Sequence, residues 1–385
     1  MIKKNKKLIY VLNHYSKDDK SHFYHVINLL ETLANNDVKI VLIIEKVSSR
    51  PQFTHPSIKV ILQKKTGILR SLELYYILVS LNKKGFKKCF IRISQKAALM
   101  SIIAFKIYGG QTYYWHSGKT HVLDKDRRFD LKTFKWFFNS YLPFRLVVNF
   151  IDSFVTGPES MMDYYESVVG VKKSKLICLY NDVDLKRFKK LNKHQKNHLR
   201  NELSLGQDDK IILFVHRLSP VRKSLFYMPF VILDSIKQAN TICLIIGGGS
   251  ELSELKLQIN NRGLNDKVFT LGEKSNSDIH KFYQIADVFI NPTFTEGFPR
   301  VLIEAMASGL PIVTTNAGGI EDILGPQQLN FMVDVHDRQA FSEKLQLLLG
   351  DNNIQSSLIE ENHNSVNRFS TENVAQNYIK AIFIE

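Results

Sequence analysis

Two glutamates that stand eight residues apart offer the most chemistry in this sequence. Glu296 lies in a polar turn after the apolar run 287–290, and Glu304 lies in the helix pattern 300–308. The neighbours of Glu304 in that helix are apolar, and an unpaired charge in such surroundings is costly. We therefore expect Glu304 to have a binding partner, and Glu296 to stand in the turn above the start of the same helix.

Basic and glycine-rich segments follow two other apolar runs. Arg217, Arg222 and Lys223 come shortly after the run 211–215, and the last two open the next predicted helix. Cations beside the free N–H groups of a helix start form an anion site, for which phosphate is the obvious ligand. Glycines 247–249 follow the run 241–246 and allow backbone amides to approach a phosphate or a nucleoside.

The first half of the chain offers weaker candidates. His116 follows a predicted strand at 112–115 and precedes two small residues. A lone histidine is more often structural than catalytic, so its role stays open on this basis. Asp182 and Asp184 form a D-x-D pair of the kind that holds Mg²⁺ or Mn²⁺ in some transferases. The same pattern occurs at 124–126, and we predict no metal site.

Strands and helices alternate through both halves, and these elements must position the candidate residues. The predicted strands are 8–12, 38–44, 58–62, 89–93, 112–115, 153–156, 175–180, 211–215, 241–246, 268–271, 287–290 and 310–314. Helix patterns fill the intervals, and a polar segment at 189–197 separates the halves. This alternation predicts parallel sheets with helices on both faces, and ligands bind at the carboxyl ends of such strands. A length of 385 residues indicates two domains.

The charge of the chain is concentrated in its first half. Residues 1–190 contain 34 basic and 15 acidic residues, while the remainder contains 18 and 22. Such a half attracts an anionic partner, such as lipid headgroups or phosphorylated substrates, unless its lysines are simply solvated. Aromatic and basic residues alternate over 127–150, which suits a helix in a membrane interface or a core helix with extended cations. No nucleic-acid motif accompanies them.

The second half resembles the retaining glycosyltransferase family 4, the group 1 glycosyltransferases. The residues that support the resemblance are Arg217 with Lys223, the glycine turn 245–256 and the segment 268–324 with its paired glutamates. The segment 154–188 resembles the part of the family that precedes the crossing between domains. The resemblance implies the GT-B fold, in which two Rossmann-like doubly wound domains face a cleft and the C-terminal helix crosses back to the first domain. The implied bounds are 1–188 for an acceptor-binding domain, 189–368 for a nucleotide-sugar-binding domain and 369–385 for the returning helix.

The resemblance also implies roles for individual residues. The catalytic set would be His116, Glu296, Arg217 and Lys223, with both cations on the donor diphosphate. The donor-binding set would be Gly248, Gly249, Gly297, Phe298, Pro299 and Glu304, the last on the ribose hydroxyls. A diphosphate neutralised by cations leaves without a metal, so neither a metal nor another cofactor is expected.

The resulting expectation is a metal-independent, retaining hexosyltransferase. It would use a UDP- or GDP-sugar and a lipid-linked or oligosaccharide acceptor in the synthesis of cell-envelope polysaccharide or glycoconjugate. The apolar part of the N-terminus is too short for a signal peptide and no run spans a bilayer, so we expect a cytoplasmic protein on the inner face of the membrane. The alternatives are a nucleotide-sugar epimerase, a glycan phosphorylase or a degenerate membrane-bound partner subunit. The last is suggested by residues 16–23, which stand where the family usually has two glycines.

Overall fold

The protein forms two compact units in a computed structural model. The structure describes residues 6–16, 25–47, 49–118, 136–220, 225–228, 230–231 and 240–384. The first unit comprises Met1–Tyr180 and Thr371–Glu385, and the second comprises Asn181–Ser370. The predicted two-domain α/β architecture with parallel sheets is confirmed.

A seven-stranded parallel sheet forms the centre of the first unit, in the order β3-β2-β1-β4-β5-β6-β7. Its strands are β1 (Lys7–Leu12), β2 (Lys39–Ile44), β3 (Ile58–Leu62), β4 (Lys88–Arg92), β5 (Gln111–Trp115), β6 (Ser153–Thr156) and β7 (Leu176–Cys178). Its described α-helices are α1 (His25–Asn35), α2 (Gly67–Lys83), α3 (Gln95–Tyr108), α4 (Leu142–Phe150), α5 (Glu159–Tyr164) and α12 (Thr371–Phe383).

Both faces of this sheet are covered, which explains the continuous apolar runs of its strands. Along β1, Ile9 and Val11 pack into a core with α2, α3 and α4. Leu8 and Tyr10 point to the opposite face and pack into a core that includes α1 and α12. The alternation follows from the two-residue period of a strand. The C-terminal helix α12 is therefore part of the core of the first unit.

A six-stranded parallel sheet forms the centre of the second unit, in the order β10-β9-β8-β11-β12-β13. Its strands are β8 (Lys210–Val215), β9 (Thr241–Ile246), β10 (Val268–Thr270), β11 (Val288–Asn291), β12 (Ile312–Thr315) and β13 (Met332–Val333). Its described helices include α6 (Lys193–Glu202), α7 (Leu252–Asn261), α8 (Ile279–Ile285), α9 (Arg300–Ala307), α10 (Arg338–Gly350) and α11 (Asn352–Val366).

The segment between the predicted halves differs from the expected polar linker. Residues 181–188 belong to the second unit, where the backbone N–H of Val183 donates to the carbonyl oxygen of Phe369 at 2.9 Å. Helix α6 then begins within the predicted linker, because Asn192 and Gln195 form a reciprocal capping box. Its Arg200 is buried and forms an ion pair with Asp287 at 2.8 Å. The high charge of the segment concealed these anchors.

The aromatic segment predicted over 127–150 is divided between surface and core. Residues 127–135 lie outside the described residues. Phe137, Phe138 and Tyr141 lie on a π-helical turn and are exposed, whereas Phe144 of α4 is fully buried. The predicted core packing therefore holds for the buried side of α4, and the proposal of a membrane interface stays a prediction for the exposed turn. Among the described residues, no helix is long and apolar enough to cross a membrane.

Candidate active site

Four loops meet at the carboxyl edge of the second sheet. They follow the neighbouring strands β9, β8, β11 and β12, and glycines allow them to approach each other closely. Gly247 and Gly249 have φ angles of 143° and 142°. A Cβ atom on either would lie 1.9 Å from the carbonyl oxygen of His216 or of Leu218. Both glycines are thus required for backbone packing against the β8 loop. The sequence pattern had predicted only a ligand-binding role for them.

A buried histidine–glutamate pair joins the β8 and β11 loops. His216 Nε2 lies 3.0 Å from Glu296 Oε1, and the two side chains are only 4% and 9% exposed. The imidazole also stacks on Phe214, which fixes its plane. Beneath the pair, a Cβ atom on Gly318 of the β12 loop would lie 2.0 Å from the carbonyl oxygen of Glu296. Glu296 is therefore held in place from two neighbouring loops.

Glu304 lies on the buried face of α9 and has two partners. The Tyr283 hydroxyl donates to Glu304 Oε2 at 3.0 Å, and Arg300 Nη2 lies 3.4 Å from Glu304 Oε1. Burial raises the pKa of Glu304, and the Arg300 charge and the hydrogen bond from Tyr283 oppose this shift. The carboxylate that required a partner thus has one from α8 and one from its own helix.

The turn between the glutamates contains the remaining predicted donor-binding residues. Pro299 is the N-cap of α9, one residue before the predicted position, and no side chain caps this helix start. The carbonyl oxygen of Phe298 accepts a hydrogen bond from Asn181 Nδ2 at 3.5 Å, and its ring packs against Phe369. Gly297 precedes Phe298 in the same turn. Residues near position 181 thus help to shape this turn.

Of the remaining predicted residues, the structure describes Arg217 and Gly248 but not Lys223. Arg217 is exposed, next to the His216 backbone on which Gly247 packs. Lys223 lies outside the described residues. A Cβ atom on Gly248 would lie 2.7 Å from Glu273 Oε1. The absence of a side chain at this position therefore leaves room for the Glu273 side chain.

His116 lies in the first unit, directly after β5, and is 8% exposed. Its Nδ1 atom lies 2.6 Å from the Tyr165 hydroxyl, which donates to the carbonyl oxygen of Gly118 at 3.0 Å. A hydroxyl has one proton, so this arrangement assigns the Nδ1–H tautomer to His116. The second ring nitrogen is then a hydrogen-bond acceptor.

Three residues of these networks were missed by sequence reasoning: His216, Tyr283 and Tyr165. His216 directly precedes Arg217, and its place at a strand end was a usable signal. The two tyrosines lie on helices far from their partners in sequence, and no local pattern indicates them. Among the described residues, no group of three or more side chains forms a metal-binding cluster.

The two sheets and the four-loop site define a GT-B protein. Solved structures share this fold over nearly the whole chain. A sucrose-phosphate synthase from Thermosynechococcus elongatus aligns with a TM-score of 0.79, 17% identity and coverage of 98% of both chains. Anabaena HepE in complex with UDP aligns with a TM-score of 0.76, 17% identity and coverage of 98% of this chain and 99% of HepE.

The sequence of the second unit matches a known family model. Residues 195–365 match the model "Glycosyl transferases group 1". An uncharacterized glycosyltransferase from Methanocaldococcus jannaschii is 25% identical over 58% of this chain and 57% of its own length. A D-inositol 3-phosphate glycosyltransferase from Corynebacterium urealyticum is 24% identical over 61% of this chain and 57% of its own length. The chain thus spans little more than half the length of these relatives.

Proposed function

We propose that this protein is a retaining, metal-independent glycosyltransferase that transfers a hexose from a UDP- or GDP-sugar to a lipid-linked or oligosaccharide acceptor. The main support is the pair of buried glutamates at the carboxyl edge of the second sheet, each held by its own partner. A protein tolerates two such carboxylates where they bind polar ligands, because their burial costs stability. The reaction would serve the synthesis of cell-envelope polysaccharide or glycoconjugate.

The donor would bind to the second unit. Glu304 would accept hydrogen bonds from the ribose hydroxyls, and Glu296 would accept them from the sugar. Arg217 and Lys223 would neutralise the diphosphate and so stabilise it as a leaving group. The start of α9 supports phosphate binding, since its N–H groups have no side-chain cap. Gly248, Gly249, Gly297 and Phe298 would offer backbone groups to the same ligand, and Pro299 would fix the entry to the helix.

His116 of the first unit is proposed as a catalytic residue. Its hydrogen bond with Tyr165 fixes the ring, so that the remaining nitrogen can accept a hydrogen bond from a hydroxyl group. No side chain is proposed as the base. In a retaining transfer the leaving phosphate oxygen would accept the proton of the attacking acceptor hydroxyl.

A uridine nucleotide is the first choice to test. HepE has been solved with UDP, with UDP-glucose, and with UDP and glucose. The first test is binding of UDP and GDP to the full chain by calorimetry, followed by release of the nucleotide from UDP- or GDP-sugars. A transferase should release nucleoside diphosphate much faster with its acceptor present than with water alone. Release of a sugar phosphate instead would indicate a phosphorylase, and binding without turnover would indicate a degenerate subunit.

We further propose that the first unit contacts the anionic inner face of the cell membrane. Exposed apolar side chains on two of its elements support this proposal: Ile68, Leu69, Leu72 and Tyr76 on α2, and Phe137, Phe138 and Tyr141 on the π-helical turn. Basic residues that dominate this half of the chain would add attraction to anionic lipids. Flotation with phosphatidylglycerol vesicles should fail after Phe137→Ser and Phe138→Ser combined, while the matched exposed change Leu257→Ser in the second unit should have no effect.

A further inference from the structure

The first unit contains a cavity of about 680 Å³. None of the residues proposed above for catalysis or donor binding lines it. It lies where β1, β2 and β4 end and where α2 and α3 begin. These three strands are neighbours in the sheet, so their carboxyl ends form one continuous edge. Ligands bind at this edge in parallel α/β sheets. The cavity therefore has the position of a ligand site, separate from the proposed donor site of the second unit.

The cavity lining has a surplus of positive charge. Lys46 follows β2, Arg70 lies in the second turn of α2, and Lys96 lies in the first turn of α3. Glu45 is the one carboxyl group among the described lining residues. No described carboxylate forms an ion pair with any of these three cations. Among the described lining residues, positive charges thus outnumber negative ones by at least two.

The three cations of the cavity lining all act electrostatically on Glu45. Burial raises the pKa of Glu45, and a hydrogen bond with Ser94 and the charges of Arg70, Lys46 and Lys96 oppose the shift. All three cations therefore lie within electrostatic reach of one carboxyl group. Several cations that line one cavity can bind a phosphate group through charge-assisted hydrogen bonds.

The starts of two helices add to this positive potential. Neither α2 nor α3 has an acidic residue in its first turn. The N-terminal end of a helix carries a partial positive charge, which favours anions and disfavours cations nearby. Arg70 and Lys96 nevertheless stand at or near these ends. An anion in the cavity would offset the repulsion of both.

Apolar side chains border the cavity on two sides. Gly67, Arg70 and Ser71 of α2 line it, and the same turns expose Ile68, Leu69 and Leu72 to solvent. Asn139 and Ser140 line it from the π-helical turn, which also exposes Phe137 and Phe138. An anion pocket with such a border suits an amphiphile with a charged head and a hydrocarbon chain.

We propose that this pocket binds the phosphate or diphosphate group of the acceptor. The inference rests on the proposed transfer reaction, and it makes the acceptor a phosphorylated compound rather than a neutral glycan. A phosphorylated lipid and a soluble sugar phosphate share this chemistry. The apolar border favours the lipid, and the probes described next separate the two sources.

The test is binding of dodecyl phosphate below its micelle concentration to the full chain, with UDP present in excess. Dodecyl maltoside serves as the neutral amphiphile and inorganic phosphate as the head group alone. Lys46→Ala, Arg70→Ala and Lys96→Ala should each weaken binding of dodecyl phosphate by about tenfold, since each removes a charged hydrogen bond. Glu45→Gln should strengthen binding, and misfolding cannot explain a gain.

Matched controls come from the same elements. Lys39 begins β2 at the edge of the sheet opposite to Lys46, and Lys83 ends the helix that contains Arg70. Lys39→Ala and Lys83→Ala change the net charge equally and should leave binding unchanged. Equal effects of control and cavity variants would show a non-specific charge effect and would overturn the proposal.

The probes distinguish the remaining outcomes. Tighter binding of dodecyl phosphate than of inorganic phosphate supports a lipid acceptor. Equal binding of the two, with loss in the cavity variants, supports a soluble phosphorylated acceptor. Binding of dodecyl maltoside as tight as that of dodecyl phosphate refutes a phosphate site. UDP affinity, measured separately, should be unchanged in the cavity variants, so a failure of the donor assignment is visible independently of this pocket.

Discussion

Replacing Glu304 with glutamine separates stability from ligand binding at the second-unit site. Glutamine preserves the size of the side chain and an acceptor for the Tyr283 hydroxyl, but it removes the ion pair with Arg300. That pair spans 3.4 Å, and the arginine side chain is 25% exposed. A partly solvated pair of this kind contributes up to about 1 kcal/mol. The same replacement removes the cost of a buried charge, so the net change in unfolding free energy at neutral pH should stay within about 1 kcal/mol.

The pH dependence of stability provides a signature of the buried charge. Burial raises the folded-state pKa of Glu304 above its unfolded value. Between these two values the folded protein binds more protons than the unfolded chain, so its stability falls as the pH rises. Glu304→Gln removes this contribution. The variant should therefore gain stability relative to the wild type as the pH rises from the ordinary glutamate range towards neutrality.

Glu304→Gln should weaken nucleotide binding, in contrast to its favourable effect on stability. A hydrogen bond to a charged group contributes about 1.5–3 kcal/mol, so loss of the carboxylate should weaken UDP binding by about ten- to a hundredfold. Calorimetry with UDP and urea unfolding at several pH values measure both effects. Glu304→Ala is the comparator, because it also leaves the buried Tyr283 hydroxyl without this acceptor and should cost about 1–3 kcal/mol of stability. Unchanged UDP affinity in Glu304→Gln would refute the ribose assignment.

Three further predictions concern the other networks. His216→Phe should lower kcat/KM for the donor by about ten- to a hundredfold, because it removes the hydrogen bond between His216 and the Glu296 carboxylate. His216→Gln should retain more activity, and equal activity of both variants would contradict this role. Tyr165→Phe should lower kcat without changing UDP affinity, because it removes the bond that fixes the tautomer of His116, and the double variant with His116→Ala should be no slower than His116→Ala alone. Gly249→Ala should destabilise the second unit and abolish UDP binding. Gly263→Ala adds a methyl group in open space at a φ of 63°, so it should cost only about 1–2 kcal/mol of stability. Similar unfolding free energies for the two variants would show that backbone packing does not require a glycine at position 249.

The architecture was predictable from the sequence because both sheets are parallel. Their strands are buried on both faces and therefore form uninterrupted apolar runs such as 8–12 and 241–246. Short edge strands gave weaker signals, and β13 has only two residues, Met332–Val333. The helix start at Lys193 was hidden by its charge, since a capping box and the ion pair of the buried Arg200 with Asp287 fix it.

The site was predictable to the extent that it lies at strand ends and in one contiguous segment. Glu296, Glu304 and the glycines could be predicted as candidates because they follow strands at short range, and their binding roles stay predictions. Tyr283 could not be identified as a partner, because it meets Glu304 only after folding. His216 was missed although its place at a strand end was a usable signal. The glycines 247–249 show that residue type alone does not reveal a role. A glycine suits close backbone packing and close approach of a ligand equally well.

Helix α12 has a consequence for the order in which the chain folds during synthesis. The first unit is built from two segments, and the second unit is inserted between them in sequence. Val374, Tyr378 and Ile379 of α12 complete a core whose other residues are made before the second unit. The second unit is thus fully synthesised before the first has all its core residues. Until then the apolar surface of α1 and of β1 lacks its last covering helix, and this interval is when a chaperone would find the nascent chain.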